Sequence, residues 1–219
     1  MVSIAKFYSY FRSSTAYRLR IALNLKNVRP AETVFVNLKE GEQHSDSYKA
    51  VNPAAAVPSF ELSDGTILTQ SMAMLEWLEE NYPQPLMLPT DSVLRAKIRA
   101  FSNVVASDMH PINNLRVLQY LTGQMGLSAG QRKEWMHHWM HKGFSVCEGM
   151  LTEQSGAFCF GDTPTLADIC LVPQIYNALR FEVDMAVYPR LIAAYEHALT
   201  HPAFDAARPE KQPDCNLPH

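Results

Sequence analysis

Arg12-Ser13-Ser14-Thr15 sets three adjacent hydroxyls behind a guanidinium, with no cysteine, histidine or carboxylate beside them to serve as nucleophile or base. Such side chains donate hydrogen bonds rather than electron pairs at neutral pH, so the chemistry they suit is stabilisation of an anion brought from outside. Their place agrees with that. The run lies where a strand pattern turns into a helix pattern, and the first amides of a helix lack partners while its dipole favours negative charge. A single serine there is an ordinary N-cap, but three hydroxyls after an arginine exceed that need. Were the anion a thiolate carried by a cosubstrate, these donors would draw its pKa from about 8.5 toward neutrality, each unit being ~1.4 kcal/mol of preference for the charged form.

Other stretches carry polar chemistry too. Val57-Pro58 could hold a cis bond at the head of a strand, leaving Val57 to offer its backbone N–H and C=O to an extended ligand. Gln70-Ser71 opens a helix pattern and could hold a carboxylate through the serine hydroxyl and free amides, or simply cap the helix. Thr165-Leu-Ala-Asp168 fits a capping box, which assigns the pair to folding. His137 and His141 stand four apart with no glutamate in an HExxH arrangement and no third ligand in register, so they read as helix surface and no metal is expected.

The elements that position these groups follow from periodicity. Ile4 to Tyr8 reads as a strand; Ala16, Leu19, Ala22 and Leu23 then share one helical face, with Arg18, Arg20 and Lys26 expected to face out. Thr33 to Val36 gives a second strand, and Gln43 to Val51 is long enough for a short helix. Pro58 to Leu62 and Thr66 to Leu68 flank the turn signal Ser63-Asp64-Gly65, and Ser71 opens an amphipathic helix that must stop near Pro83. This βαβ–ββα order predicts a small α/β domain over 1–83, with 84–91 as a proline-rich linker. Beyond it, helical patterns run from Ser92 to Leu121, Ser128 to Leu151, Thr165 to Leu179 and Pro189 to Leu199, predicting an all-helical domain over 92–219.

Composition excludes several classes of partner. The net charge of −3 comes from 19 basic and 22 acidic residues spread along the chain, so no footprint for a phosphate backbone exists and nucleic acid is not expected. No apolar run approaches the ~20 residues of a bilayer span, and the opening MVSIAKFYSYF lacks the pattern of a secretory signal, which leads to a cytoplasmic expectation. The four cysteines show no metal-type spacing, and Cys147, Cys159 and Cys170 lie in apolar surroundings that suit reduced thiols.

Tyr8-Ser-Tyr-Phe-Arg-Ser-Ser14, followed by Tyr17-Arg18-Leu-Arg-Ile-Ala-Leu23, resembles the signature of the zeta-class glutathione transferases, the family of maleylacetoacetate and maleylpyruvate isomerases. Asn52-Pro53, Val57-Pro58, Gln70-Ser71, Leu78-Glu-Glu80, Gly161 to Asp168, Leu171 to Gln174 and Asn177 to Asp184 extend the resemblance over nearly the whole chain. It implies an α/β thioredoxin-like N-terminal domain plus an all-α C-terminal domain, the glutathione transferase fold, in a homodimer with glutathione held mainly by the first domain. The implied activity is glutathione-dependent cis–trans isomerisation of a maleyl keto acid in aromatic or tyrosine catabolism. By this resemblance Ser13 or Ser14 faces the thiolate with Thr15 nearby, and Arg12 and Arg180 take the carboxylates of the maleyl dicarboxylate substrate. Arg18, Gln43, Val57, Pro58, Gln70, Ser71, His110 and Asn114 become glutathione contacts. One departure stands out: the maleylacetoacetate isomerases carry Ser-Ser-Cys where this chain has Ser13-Ser14-Thr15, so a role needing a protein thiol is excluded. Thr15 and His110-Pro-Ile-Asn-Asn114 are closer to the bacterial maleylpyruvate isomerases, which have arginine next where this chain has Leu115, and the substrate stays open between the two. Conjugation or dehalogenation of small electrophiles such as α-halo acids, and a non-catalytic glutathione-binding role, are the competing expectations.

Overall fold

The computed structural model describes residues 2–151 and 156–216. The chain forms two compact units, one of 1–86 with 201–219 and the other of 87–200. In the first, strands β1 (Ile4–Ser9), β2 (Glu32–Phe35), β3 (Ser59–Leu62) and β4 (Ile67–Thr69) form one sheet in the order β2-β1-β3-β4. β1 runs parallel to β2 and antiparallel to β3, which pairs antiparallel with β4. Helices α1 (Ser14–Leu25), α2 (Asp46–Val51) and α3 (Ser71–Asn81) accompany the sheet.

Alternation along β1 sends successive side chains to opposite faces. Phe7 meets Phe60 edge-on at 5.4 Å, and Phe60 meets Trp77 of α3 at 6.3 Å. Tyr8, on the other face, lies 5.7 Å from Tyr48 of α2 in a cluster with Val36 and Val57. Both faces of the sheet are therefore covered.

Helix α1 departs from its amphipathic reading. Arg18, Arg20 and Lys26, expected to face out, are all buried. The reason is that acceptors from outside the helix, most of them distant in sequence, surround it. Arg18 Nη1 donates to Ser71 Oγ at 3.3 Å, and Arg20 donates to the carbonyls of Tyr10, Phe11 and Ala207. Lys26 Nζ pairs with Glu79 Oε2 at 2.5 Å and donates to Pro85 O at 2.7 Å, which ties the proline-rich segment to the first unit. The expected second domain began at 92 and ran to the C-terminus, whereas the segment from His201, with helix α9 (Pro202–Ala206), packs against α1 in the first unit.

The second unit is helical: α4 (Ser92–Asn103), α5 (Leu115–Gly123), α6 (Ala129–Met150), α7 (Leu166–Arg180) and α8 (Pro189–Thr200). The continuous helix expected from Ser92 to Leu121 is broken by a π-turn at Val104–Met109, where His110 N–H reaches back to Val105 O, and by Pro111, which has no amide to continue the ladder. Gly143 of α6 lets Met109 approach, since a Cβ there would lie 2.3 Å from Met109 Cε. α7 is its core, buried from Leu166 to Ile175. Asp168 accepts from the Thr165 amide and hydroxyl at 2.8 and 2.9 Å and from Cys159 N–H at 2.8 Å, and burial pushes its carboxyl above the usual range. His137 and His141 are not open helix surface: His137 Nε2 lies 2.8 Å from Phe181 O, and His141 Nδ1 2.8 Å from the Tyr188 hydroxyl. Among the described residues, no helix is long and apolar enough to cross a membrane and no group of His, Cys, Asp or Glu could hold a metal ion. The four cysteines form no disulfide, and Cys147, Cys159 and Cys170 are buried; burial raises the Cys147 thiol to about 12.

Candidate functional site

The hydroxyl run occupies the junction of β1 and α1, and the three hydroxyls have different duties there. Ser13 is the N-cap, its Oγ accepting from Ala16 N–H at 3.2 Å. Thr15 Oγ1 lies 2.9 Å from Ser13 Oγ and donates to Val57 O at 3.0 Å, joining α1 to the loop before β3. Ser14, the first residue of α1, is buried, and its hydroxyl makes no hydrogen bond to any described residue. It is the unspent donor of the three.

Electrostatics around it favour an anion. The first turn of α1 contains no acidic residue, so the positive end of its dipole is uncompensated from within the helix. The Arg12 guanidinium lies over the Phe11 ring at 5.2 Å, and its Nε is buried without a hydrogen-bond partner. A tyrosine does not take the donor role from Ser14: Tyr8 gives its hydroxyl to Glu61 Oε2 at 2.9 Å, and burial with the adjacent Glu61 raises its pKa to about 12. Lys6 completes that cluster 3.1 Å from Glu61. Tyr8 also lines a recess of about 450 Å³ with Val34, Val36, Tyr48 and Val51, which includes none of the hydroxyl, arginine or glutamine candidates.

The remaining candidates of the first unit fall at loop ends. Val57-Pro58 is cis, the form its sequence allowed at the head of β3. Thr15 already occupies one lone pair of the Val57 carbonyl, while the Val57 amide has no hydrogen bond within the described residues. Gln70, rather than Ser71, is the N-cap of α3; it sits at φ 67°, ψ 108° and provides no side-chain cap. A glutamine at positive φ stores roughly 1–3 kcal/mol of strain, which proteins retain where the backbone must be aimed. Ser71, first in α3, is buried and accepts from Arg18, so Arg18 joins α1 to the start of α3. Neither start has an acidic residue in its first turn. Gln43, in the 3₁₀ turn Glu42–His44, is buried with its Oε1 unpartnered.

In the second unit, His110 ends the π-turn and Asn114 caps α5, its Oδ1 accepting from Arg116 N–H at 3.3 Å. Arg180, the last residue of α7, is exposed; its Nη2 donates to Asn177 Oδ1 at 3.1 Å and its guanidinium lies 4.6 Å over Phe181. Asn113 was passed over in the sequence, yet it is buried, donates to Met109 O at 3.1 Å and keeps its Oδ1 unpartnered. Two adjacent asparagines were the only signal, and which of them points inward depends on the 3₁₀ turn.

Uncommitted donors fit a thiolate-bearing peptide: the Ser14 hydroxyl, the Val57 amide and the start of α1, with the Gln43 oxygen as an acceptor for a peptide N–H or an ammonium. Comparisons with known proteins agree with that chemistry. Residues 12–81 match the family model described as glutathione S-transferase, N-terminal domain. The chain is 46% identical over 212 residues to a probable maleylacetoacetate isomerase of Vibrio cholerae, covering 95% of this chain and 97% of that one. It is similar to the holo structure of a maleylpyruvate isomerase, a bacterial zeta-class glutathione S-transferase, with a TM-score of 0.92 and 43% identity over 95% of this chain and 99% of that one. A maleylacetoacetate isomerase from Anaeromyxobacter dehalogenans, solved with dicarboxyethyl glutathione and citrate in its active site, superposes with a TM-score of 0.88 at 39% identity, over 99% of this chain and 96% of that one.

Proposed function

The chain belongs to the zeta class of the glutathione S-transferase family, and on that premise we propose that it is a glutathione-dependent cis–trans isomerase of a maleyl keto acid, maleylacetoacetate or maleylpyruvate. The observation that carries the proposal is the unspent Ser14 hydroxyl at the start of a helix whose first turn holds no acid. When bound, glutathione supplies a thiolate that adds reversibly to the maleyl double bond, so the former double bond can turn before the sulfur leaves unchanged.

The protein's share is electrostatic. Ser14 donates to the sulfur, and the α1 amides and dipole keep it ionised. Ser13 and Thr15 hold the turn and the Val57 loop in place around it. Val57, Gln43, Gln70 and Ser71 orient the peptide, Arg18 acting through Ser71. Arg12 and Arg180 are assigned to the substrate carboxylates because a guanidinium binds them in a bidentate fork. His110 and Asn114 are assigned to further contacts with glutathione. We also assign a cytoplasmic homodimer, in keeping with the class.

The test follows ultraviolet loss of each maleyl acid with and without glutathione, while free thiol is titrated. Isomerisation consumes no thiol. Thiol depletion or halide release from an α-halo acid, without isomerisation, would replace this reading by conjugation or dehalogenation, and glutathione binding without any turnover would replace it by a binding role.

A further inference from the structure

The turn that carries Arg12 into α1 is held from the far end of the chain. Phe11 N–H donates to Asp214 Oδ2 at 2.8 Å, and Phe11 C=O accepts from Arg20 Nη2 at 2.9 Å. Tyr10 C=O accepts from Ser13 N–H at 3.0 Å and from Arg20 Nη1 at 3.3 Å, while Arg20 Nε donates to Ala207 O at 3.0 Å. Asp214 itself stands in the turn Gln212–Cys215, closed by Cys215 N–H on Gln212 O at 3.0 Å with Pro213 in its second position. The Gln212 side-chain amide, through Nε2, anchors that turn to Ala206 O at 3.1 Å and Arg208 O at 2.8 Å. These bonds close a circuit from the β1–α1 turn through Arg20 and the C-terminal segment back to Phe11.

Asp214 is the only acceptor for the Phe11 amide in that circuit. Its other oxygen, Oδ1, is buried without a partner, a cost that a side chain placed only for packing would avoid. A carboxylate on a backbone amide makes a bond about twice as strong as a neutral one, which suits a turn that must not drift. Displacing a catalytic group by about 1 Å can cost a hundredfold in rate.

We propose that Asp214 is a positioning residue for the thiolate site: through Phe11 it fixes the turn that aims Arg12 and delivers Ser14 to the head of α1. This rests on the isomerase reading above. The experiment compares wild type, Asp214→Ala and Asp214→Asn by exchange of the Phe11 amide in ligand-free protein, by ultraviolet titration of the thiol of bound glutathione, and by kcat/KM for the maleyl acid that wild type turns over. In Asp214→Ala the Phe11 amide is expected to exchange at least roughly tenfold faster, the bound thiol to titrate at higher pH, and kcat/KM to fall about tenfold. Asp214→Asn keeps an acceptor oxygen and is expected to return all three to within about threefold of wild type. The proposal is overturned if Asp214→Ala titrates and turns over like wild type, or if Asp214→Asn is as impaired as the alanine variant. Should the alanine variant fail to fold, Asp214→Ser, whose shorter hydroxyl stops short of the Phe11 amide, takes its place: a displaced titration supports the clamp and a wild-type one overturns it. Wild-type protein with no affinity for glutathione refutes the parent reading instead, and this one with it.

Discussion

Replacing Ser14 by alanine separates the three hydroxyls more sharply than any other change. Its Oγ has no bond to lose within the described residues, so folding stability should stay within about 0.5 kcal/mol of wild type. In the proposed liganded state the same hydroxyl would face a charged sulfur, where one hydrogen bond contributes roughly 1.5–3 kcal/mol. At ~1.36 kcal/mol per pKa unit, its loss raises the bound thiol by about one to two units. The sign fixes the shape of the profile: a higher thiol pKa leaves less thiolate at neutral and acid pH, so kcat/KM there should fall roughly ten- to hundredfold. The gap should narrow as pH rises through the displaced pKa. Ser13→Ala instead removes an N-cap and should cost about 1 kcal/mol of stability with a smaller effect on the thiol, and Thr15→Val should loosen the bridge to Val57 O. The assay is ultraviolet titration of the bound thiol beside thermal unfolding of the same three variants. If Ser14→Ala titrates with wild type while Ser13→Ala or Thr15→Val is displaced, the assignment of the free donor is wrong.

Two further tests probe what supports the site. Lys26→Met leaves Glu79 buried without its cation and should destabilise the protein by about 3 kcal/mol, while the double variant with Glu79→Leu should recover most of that loss in a denaturant titration. Tyr8 ionises near pH 10 when unfolded and at about 12 when folded, so the folded state binds the extra proton between these values and stability must fall as pH rises from 10 to 12. Tyr8→Phe should flatten that part of the stability profile, and an unchanged slope would show that the Tyr8–Glu61 contact is not responsible.

Local rules brought much of this protein within reach of reading. Alternation over Ile4 to Tyr8, the hydroxyls before α1 and the Thr165–Asp168 box each involve neighbours within a few residues, so residue type alone locates the strand, the helix start and the cap. The start of α3 near Ser71 was legible for the same reason, whereas the cis bond at Val57-Pro58 was only permitted by its proline, since most such bonds are trans. The burial of Arg18, Arg20 and Lys26 was not legible, because each depends on at least one acceptor 53 or more positions away, and a helical wheel carries no information about what encloses its polar face.

The sequence by itself determined that hydroxyls and a guanidinium meet a helix start, since strand-to-helix transitions and caps are short-range matters. Which hydroxyl stays free also needed the tertiary structure: the local cap consumes Ser13, but only the distant Val57 O draws Thr15 away and leaves Ser14. The hold of Asp214 on Phe11 is of the same kind, for a bond across 203 residues exists only once the chain has closed on itself.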